Sequence, residues 1–307
     1  MDDRHAYMLN ELWTRQYDLG RVLRFRHIRR GRQAVCYEVL TAEQHTFTAY
    51  LFGPEFDPVQ LAAACQALVL LDKQRFSVVP MVPMARGEFL ADGPQGAALV
   101  VGLEATGQEI PADQWSLHDV TQLGLRLGWM HRLLVEQCPV HTATEPAAAL
   151  VAARAHTPVS RRLGALNPVH VDALGRRLES LPPAAAWAHG DVQPAAMLLD
   201  SDRQIRTIVD WALLHPGDPL EDLIDAFTQW CMGDDGLVNA EAGRALLESY
   251  RTLRPLEDGP WETAALRWCA QRIIDACHDR RPLPRGFATL LAEPRALATA
   301  LELCEAK

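Results

Sequence analysis

The stretch WAHGDVQPAAMLLDSDRQIRTIVDW, from Trp187 to Trp211, decides the fold of this 307-residue chain. Its second half predicts a β-hairpin, because the apolar runs MLLD and IRTIVDW flank a polar turn. Antiparallel pairing of these strands would bring Asp191 and Asp210 to the same edge. Two carboxylates at paired strand ends repel each other unless a cation, a proton or a hydrogen-bond donor lies between them. The stretch therefore predicts a metal or phosphoryl site, although either aspartate alone is also typical of a turn or a helix cap.

The N-terminal and C-terminal parts of the chain differ in the periodicity of their apolar residues. Residues 21–52 alternate like three antiparallel strands, and residues 58–73 have the composition of a helix that begins at a proline. From Ser116 onward, apolar residues recur at spacings of three and four, which is typical of amphipathic helices. We expect an α+β protein with a β-rich N-terminal lobe at residues 1–105 and a mainly helical C-terminal lobe at residues 106–307.

Composition narrows the class of protein. With 49% hydrophobic and 22% charged residues, the chain resembles ordinary globular proteins rather than disordered or fibrous ones. The formal charge of −9 argues against a nucleic-acid partner, because such binders neutralise phosphates with excess Lys and Arg. No apolar run is long enough for a membrane helix, and residues 1–10 are too charged for a signal peptide. The seven cysteines form no C-x-x-C pair, so we expect reduced thiols in a cytoplasmic protein without a membrane partner.

Four spaced motifs together resemble the aminoglycoside phosphotransferase, choline kinase and homoserine kinase group. They are HGDVQP at residues 189–194, Asp210 in IVDW, GDPLEDL at residues 217–223 and LGLRLGWMH at residues 123–131. The resemblance covers most of the chain. It implies a two-lobed protein-kinase-like fold with an antiparallel β-rich N-lobe and a mainly α-helical C-lobe.

The same resemblance implies a role for each motif residue. Asp191 would accept the proton of a substrate hydroxyl, and Asp210 would hold the Mg²⁺ that bridges the β- and γ-phosphates of ATP. Asp222 would support the backbone of the HGD triplet. His189 belongs to the catalytic loop, either as a packed imidazole that fixes the loop or as a base, and His131 would lie behind that loop as structural support.

Three departures from the family pattern concern the nucleotide and the metal. The family's asparagine, five residues after the catalytic aspartate, is replaced by Ala196, which cannot bind a metal. Within residues 192–199 only Gln193 offers a side-chain carbonyl to a cation. The family's lysine on the third strand is replaced as well, because Ala49 and Tyr50 occupy the corresponding place.

No other alignment restores the lysine and its glutamate partner. The first lysine of the chain is Lys73, and the predicted helix at residues 58–73 contains no acidic residue before Asp72. Loss of both members is self-consistent, because one buried charge left without the other would be costly. Tyr50 would then pack against Cys65 or Gln66.

The remaining nucleotide contacts are expected in two places. Val101 and Leu103 lie in residues 99–105, the segment between the lobes whose backbone would meet an adenine edge. Arg30 and Arg32 flank the glycine of the first turn and would either approach the phosphates or form a solvated turn.

Three functions remain open from the sequence. The first is phosphoryl transfer from ATP, with Mg²⁺, to a hydroxyl of a small-molecule acceptor, slowed by the missing Lys, Glu and Asn. The second is a pseudokinase that binds or scaffolds a protein partner, and the third is a different reaction in the same cleft. The acidic net charge favours an amine-bearing acceptor. Trp230, Trp261, Trp268 and Asp275 are candidates for its pocket, or else core and surface residues.

Overall fold

The structure is a computed structural model of the chain. It describes residues 3–28, 34–54, 56–138, 147–148, 150–151, 166–182, 184, 186–233, 237–256, 261–277, 283–284 and 287–305. The expected fold class is confirmed, since a strand-rich N-terminal part is followed by a mainly helical C-terminal part.

By internal contacts, the chain forms two compact units. The first unit comprises Met1–Ile110 and Ala195–Leu214, and the second comprises Pro111–Pro194 and His215–Lys307. A single boundary near residue 105 remains a prediction. The contacts also group the hairpin that follows the HGD triplet with the strand-rich unit.

The first unit contains two sheets. Five antiparallel strands form the larger one in the order β1-β2-β3-β5-β4, and the smaller has the order β6-β8-β9. The elements of this unit are α1 (Asp3–Gln16), β1 (Val22–Ile28), β2 (Val35–Thr41), β3 (Thr46–Phe52), α2 (Pro58–Lys73), β4 (Leu90–Asp92), β5 (Ala98–Leu103), β6 (Gln108–Glu109), β8 (Met197–Leu199) and β9 (Ile205–Ile208).

Strand β3 assigns its residues alternately to two hydrophobic cores. Ala49 is buried in a cluster with Leu9 and Trp13 of α1, whereas Phe52 is buried in a cluster with Leu61 of α2. Successive side chains of a strand point to opposite faces, so this sheet is covered by apolar residues on both sides. Helix α1 was not predicted from the sequence.

The hairpin predicted from residues 197–210 is confirmed. Strand β8 pairs antiparallel with β9, and Met197 lies opposite Ile208. The three residues of β8 are buried, as are Ile205, Thr207 and Ile208 of β9, which explains the apolar runs on both sides of the polar turn.

The second unit is mainly helical. Its elements are α3 (Leu117–Gln137), α4 (Pro168–Leu178), β7 (Ala186–Ala188), β10 (His215–Gly217), α5 (Pro219–Trp230), α6 (Ala240–Arg251), α7 (Trp261–Cys277), α8 (Phe287–Ala292) and α9 (Pro294–Glu305). Helices α3 and α6 approach closely at Gly124, where an added Cβ would lie 2.4 Å from the carbonyl oxygen of Leu246. Within the described ranges, the helices all fall short of the length and apolar character needed to cross a bilayer.

Candidate functional site

The HGD loop, defined here as residues 189–194, begins where a short strand ends. Strand β7 pairs antiparallel with β10, which places the start of the loop beside the turn that leads into α5. Gly190 has a φ of +80°, a conformation that side-chain-bearing residues rarely adopt. The glycine of the triplet therefore allows the chain to turn sharply before Asp191.

Asp222, on the first turn of α5, holds the backbone of this loop. Its Oδ2 accepts a hydrogen bond from the backbone N–H of His189 at 2.7 Å, and its Oδ1 accepts one from Gly190 N–H at 2.9 Å. The side chain of His131 bonds to the same carboxylate, with 2.9 Å between Nε2 and Oδ2. The supporting role expected of Asp222 thus corresponds to these contacts.

His131 is fully buried at the centre of a hydrogen-bonded chain. Its Nδ1 lies 3.0 Å from the hydroxyl oxygen of Tyr250. Burial disfavours the imidazolium and lowers the pKa of His131, despite the opposing influence of Asp222. Burial acts in the other direction on Asp222, but the hydrogen bonds from His131 and the loop outweigh it and lower the pKa of that carboxyl. These directions fit a neutral His131 that donates to an ionised Asp222 and accepts from the Tyr250 hydroxyl.

A second aspartate of α5, Asp225, supports the next part of the loop. Its Oδ2 accepts from the backbone N–H of Val192 at 2.8 Å, while its Oδ1 accepts from the indole N–H of Trp268 at 3.1 Å. Arg272 is also buried and donates to the carbonyl of Gly190, with its Nη1 lying 3.9 Å from Asp225 Oδ1. Helix α5 therefore binds a backbone N–H of the loop through Asp225, and helix α7 binds a backbone carbonyl of the loop through Arg272.

The loop-bracing network, defined as Asp222, Asp225, His131 and Arg272, was only partly found from the sequence. Asp222 and His131 belonged to recognised motifs. Asp225 follows Asp222 by three residues and so shares its helix face, which is a signal for the same role. Arg272 carries no comparable signal, because α7 also contains Glu262, Arg267, Gln271 and Asp275.

Asp191 itself is held by its own loop. Its backbone N–H donates to His189 Nδ1 at 3.2 Å, and its Oδ2 accepts from Gln193 Nε2 at 2.9 Å. Asp191 and His189 are fully buried. In this arrangement the imidazole of His189 contacts the loop backbone, and the amide of Gln193 orients the carboxylate of Asp191.

An aromatic pair lies beside the loop. The indole N–H of Trp230 donates to the carbonyl of Val192 at 3.0 Å, and the ring of Trp115 meets that of Trp230 edge-on with 4.1 Å between centroids. Both rings are half-buried. Of the four acceptor-pocket candidates, Trp230 is thus next to the loop, whereas Trp261, Trp268 and Asp275 are buried within α7.

Asp210 lies in the first unit, directly after β9. It has a φ of +67° and a ψ of 46°, a left-handed conformation that is uncommon for residues other than glycine. Neighbouring bonds hold this turn, because Val209 N–H donates to the carbonyl of Ala196 at 2.9 Å and the Trp211 indole N–H donates to Ile208 at 2.8 Å. Hydrogen bonds of the two neighbouring residues therefore hold Asp210 in its unusual backbone conformation.

Asp210 contributes to a small, mostly apolar cavity of about 50 Å³ in the first unit. We call this the Tyr50 cavity. It is lined by Ala34, Tyr50, Phe52, Leu61, Ala64, Cys65, Leu68, Val79, Met81, Val100, Val209, Asp210, Trp211 and Ala212. Burial raises the pKa of the Cys65 thiol to about 12, so this group is neutral near pH 7. Asp210 is the one charged side chain among the described lining residues.

The proposed adenine contacts already have backbone partners in residues 80–82. The carbonyl of Val101 accepts from Val82 N–H at 2.8 Å, and Leu103 N–H donates to the carbonyl of Pro80 at 2.9 Å. Val101 is buried in the core against α1, and Leu103 is exposed. The two arginines proposed for the phosphates, Arg30 and Arg32, lie outside the described residues.

The residues present could hold Mg²⁺ only together with a phosphate-bearing ligand that supplies further oxygen atoms. Among the residues that the structure describes, no three His, Cys, Asp or Glu side chains form a ready metal-binding cluster. Mg²⁺ commonly uses one or two protein carboxylates and completes its octahedral shell with water and phosphate oxygens. Asp210, in the first unit, has a carboxylate of the required chemistry, and Gln193, in the second unit, has an amide oxygen.

Comparisons with known proteins agree with this architecture. Residues 25–256 match the phosphotransferase enzyme family. A search of curated protein sequences gives no match.

Several solved structures have a similar fold. An amicoumacin kinase in complex with AMP-PNP and Ca²⁺ is 15% identical, with a TM-score of 0.69 over 99% of this chain and 94% of that one. A microcompartment-associated aminopropanol kinase is 18% identical, with a TM-score of 0.61 over 98% and 96%. Choline kinase LicA from Streptococcus pneumoniae is 14% identical, with a TM-score of 0.61 over 98% and 99%. At these identities the likeness establishes the fold alone.

Proposed function

This chain belongs to the phosphotransferase enzyme family, and we propose that it transfers the γ-phosphoryl group of ATP to a hydroxyl of a small molecule. The observation that carries the proposal is the loop-bracing network. Two buried carboxylates, from Asp222 and Asp225, accept the backbone N–H groups of His189, Gly190 and Val192. Burying charges is costly unless they are well bonded, so such a network is suited to fixing a loop whose geometry matters.

Asp191 is the proposed proton acceptor. The acceptor hydroxyl would attack the terminal phosphorus as the bond to the β-phosphate oxygen breaks, and the hydroxyl proton would pass to the Asp191 carboxylate. Gln193 and the loop backbone hold this carboxylate in place before substrate arrives. Since Asp191 is fully buried, substrate entry has to include a rearrangement that exposes it.

Asp210 is the proposed ligand for Mg²⁺, with Gln193 as the second candidate. When bound, the ion would neutralise charge on the β- and γ-phosphates. The residues of this chain contribute a carboxylate whose position is set by the left-handed turn after β9. Ala196, in place of the family's asparagine, leaves one family metal contact unfilled.

We propose that turnover is slow. The loss of a single electrostatic contact to the transition state typically costs on the order of 10² to 10³ in rate. Tyr50 and Cys65 line one cavity, and we assign them to the positions of the family's lysine and glutamate, so that a phenol and a thiol would replace the charged pair. Arg30 and Arg32 remain proposed substitutes for that positive charge.

The acceptor is proposed to carry an amine. Kinases of similar fold are described as acting on amicoumacin, aminopropanol and choline. The Trp115–Trp230 pair beside the loop offers aromatic surface, on which cations are attracted by the ring electrons. The net charge of −9 also favours a positively charged acceptor over a negatively charged one. A cytoplasmic location suits both the use of ATP and the reduced state of the seven cysteines.

A second candidate function is a pseudokinase that binds a ligand or a protein partner without transferring phosphate. The specific observation in its favour is the Tyr50 cavity, whose described lining residues offer no positive charge to phosphates. In that case the loop-bracing network would serve only to hold the fold.

The two candidates are separated by a transfer assay. The protein would be incubated with MgATP and a panel of aminopropanol, choline, kanamycin and spectinomycin, and products would be followed by ³¹P NMR. We expect a new phosphate ester with at least one acceptor, and a rate loss of about 10² to 10⁴ in Asp191→Asn, because that variant lacks the proton acceptor.

The matched control is Asp202→Asn, which alters an exposed aspartate in the β8–β9 turn. It should transfer phosphate at the wild-type rate. Ester formation that is equal in Asp191→Asn and in the wild type would contradict the proposed role of the loop. No ester with any acceptor, together with no binding of MgATP, would favour the pseudokinase.

A further inference from the structure

The second unit contains a large cavity that shares no residue with the HGD loop. Its volume is about 610 Å³, within the range typical of small-molecule sites. We call it the arginine cavity. It is lined by Pro182, Ala184, Ala186, Gly217, Asp218, Pro219, Leu220, Tyr250, Arg254, Pro255, Leu256, Thr263 and Arg267.

Arg267 is unusual in this lining because it is buried and incompletely bonded. It is 4% exposed, and one end of its guanidinium donates to the carbonyl of Pro182. Its Nη1 is buried without a hydrogen-bond partner among the described residues. A buried donor left unsatisfied on a charged group costs free energy, so an acceptor at this position would be stabilising.

Arg254 adds a second guanidinium to the same cavity. It is half-buried, and within the described residues its hydrogen bonding consists of one long contact, 3.4 Å from Nη1 to the Tyr250 hydroxyl. Neither Arg254 nor Arg267 has a carboxylate within salt-bridge distance in the part of the chain that the structure describes. Most of the donors on these side chains are thus available to a ligand.

The one acidic side chain in the lining is already engaged. Asp218 caps α5 by accepting from Leu220 N–H at 2.9 Å, and it forms a capping box with Glu221. Among the described lining residues, two guanidinium groups and one carboxylate give a net positive charge. The rest of the wall is largely apolar, with prolines, alanines and Leu256.

We propose that the arginine cavity is a second ligand site, which binds a small organic anion through Arg254 and Arg267. The ligand would carry a phosphate or a carboxylate, because both groups accept paired hydrogen bonds from guanidinium. An apolar body attached to that group would contact Leu256 and the prolines. The site requires neither ATP nor an acceptor, so it is independent of the proposed phosphoryl transfer.

The test uses four probes of similar size and different charge. Phenyl phosphate, benzoate, benzyl alcohol and benzylammonium would each be titrated into the full-length protein by calorimetry at pH 7.5 without nucleotide. We expect at least one of the two anions to bind about 10-fold or more tightly than benzyl alcohol, which corresponds to one charge-assisted hydrogen bond. The cation should not bind.

Variants then locate the site. Arg254→Gln and Arg267→Gln should each weaken anion binding about 10-fold, whereas Arg132→Gln, at an exposed position of α3 outside the cavity, should not. Arg254→Gln removes a half-buried side chain with one long bond, so it provides the test even where Arg267→Gln does not fold. Absence of anion binding, tighter binding of the neutral probe, or wild-type affinity in Arg254→Gln would overturn the proposal.

Discussion

The HGD loop of the second unit and the Tyr50 cavity of the first unit have diverged to different degrees from the family pattern. The loop retains its glycine, its aspartate and a buried polar support from Asp222 and Asp225. The described lining of the cavity has a phenol and a thiol where we propose that the family has a lysine and a glutamate, and Asp210 is its one charged residue.

The difference shows how a buried electrostatic site can be altered without damage to the fold. A buried ion pair can be replaced by neutral side chains at little cost when both members change together, but removal of one partner is destabilising. Tyr50 and Cys65 line the same cavity from β3 and α2, so they would satisfy that condition if they replace the family's lysine and glutamate as proposed. The loop-bracing network has no such simple alternative, because its carboxylates bond to backbone N–H groups that every sequence would present.

The largest effect on stability is expected when this network is broken. Asp222→Asn replaces a carboxylate that accepts from His189 N–H, from Gly190 N–H and from His131. We expect the free energy of unfolding to fall by about 3 kcal/mol, because hydrogen bonds to a buried charged group are lost. Urea denaturation followed by circular dichroism would measure it.

For this variant, Asp113→Asn is a suitable comparison because Asp113 is exposed. Its unfolding free energy should stay within about 0.5 kcal/mol of the wild type. An Asp222→Asn protein as stable as Asp113→Asn would show that the bonds to the loop contribute little.

An intermediate effect on the free energy of unfolding is expected when a lysine and a glutamate are introduced at positions 50 and 65. Tyr50→Lys alone places a cation beside apolar side chains, and we expect it to destabilise the protein by about 2 kcal/mol. Adding Cys65→Glu should recover at least 1 kcal/mol of that loss, roughly the size of coupling between contacting residues. Chemical denaturation of the wild type, both single variants and the double variant provides the cycle.

The same cycle also reports on nucleotide binding. If these positions match the lysine and glutamate of the family, the double variant should bind MgATP about 10-fold more tightly than the wild type. Strictly additive stability changes and an unaltered affinity for MgATP would show that Tyr50 and Cys65 do not correspond to the family's lysine and glutamate.

The smallest expected effect is the contribution of His131 to the pH dependence of the free energy of unfolding. The pKa of His131 is lowered from its ordinary value of 6.5, so acidification protonates the unfolded chain before the folded one. Stability contributed by the neutral imidazole is therefore present above pH 6.5 and declines as the pH falls, by at most about 1.4 kcal/mol per pH unit.

His131→Gln would remove this proton linkage. Between pH 7.5 and pH 5.5, the loss of unfolding free energy should be about 1 kcal/mol smaller in the variant than in the wild type. Urea titrations at both values would show it. Parallel pH profiles for the two proteins would mean that His131 titrates alike in the folded and unfolded states.

The sequence allowed prediction of the hairpin, the loop and the fold class, because each rests on local patterns. Apolar runs around a polar turn defined β8 and β9, and spaced motifs identified Asp191, Asp210 and Asp222. The domain boundary and the roles of the individual site residues remain predictions.

Other features depended on contacts between distant segments. Leu9, Leu12 and Trp13 of α1 have helical spacing, but the apolar surface that buries them comes from β2, β3 and β5, which are distant in sequence. The backbone partners of Val101 and Leu103 come from residues 80–82, and no pattern in β5 itself indicates them. Arg272 and Asp225 are brought to the loop by the packing of α5 and α7, which periodicity alone does not specify.

The proposed function requires that Asp210 binds a magnesium nucleotide, although Tyr50 and Cys65 occupy the proposed positions of the family's lysine and glutamate. The direct measurement is a thermal-shift titration of the wild type and Asp210→Asn with ATP, with and without Mg²⁺. We predict that ATP raises the melting temperature of the wild type only when Mg²⁺ is present, since a ligand of the folded state stabilises it. Asp210→Asn should lose that response. No shift of the wild type at millimolar MgATP, or an equal shift in both proteins, would contradict the account.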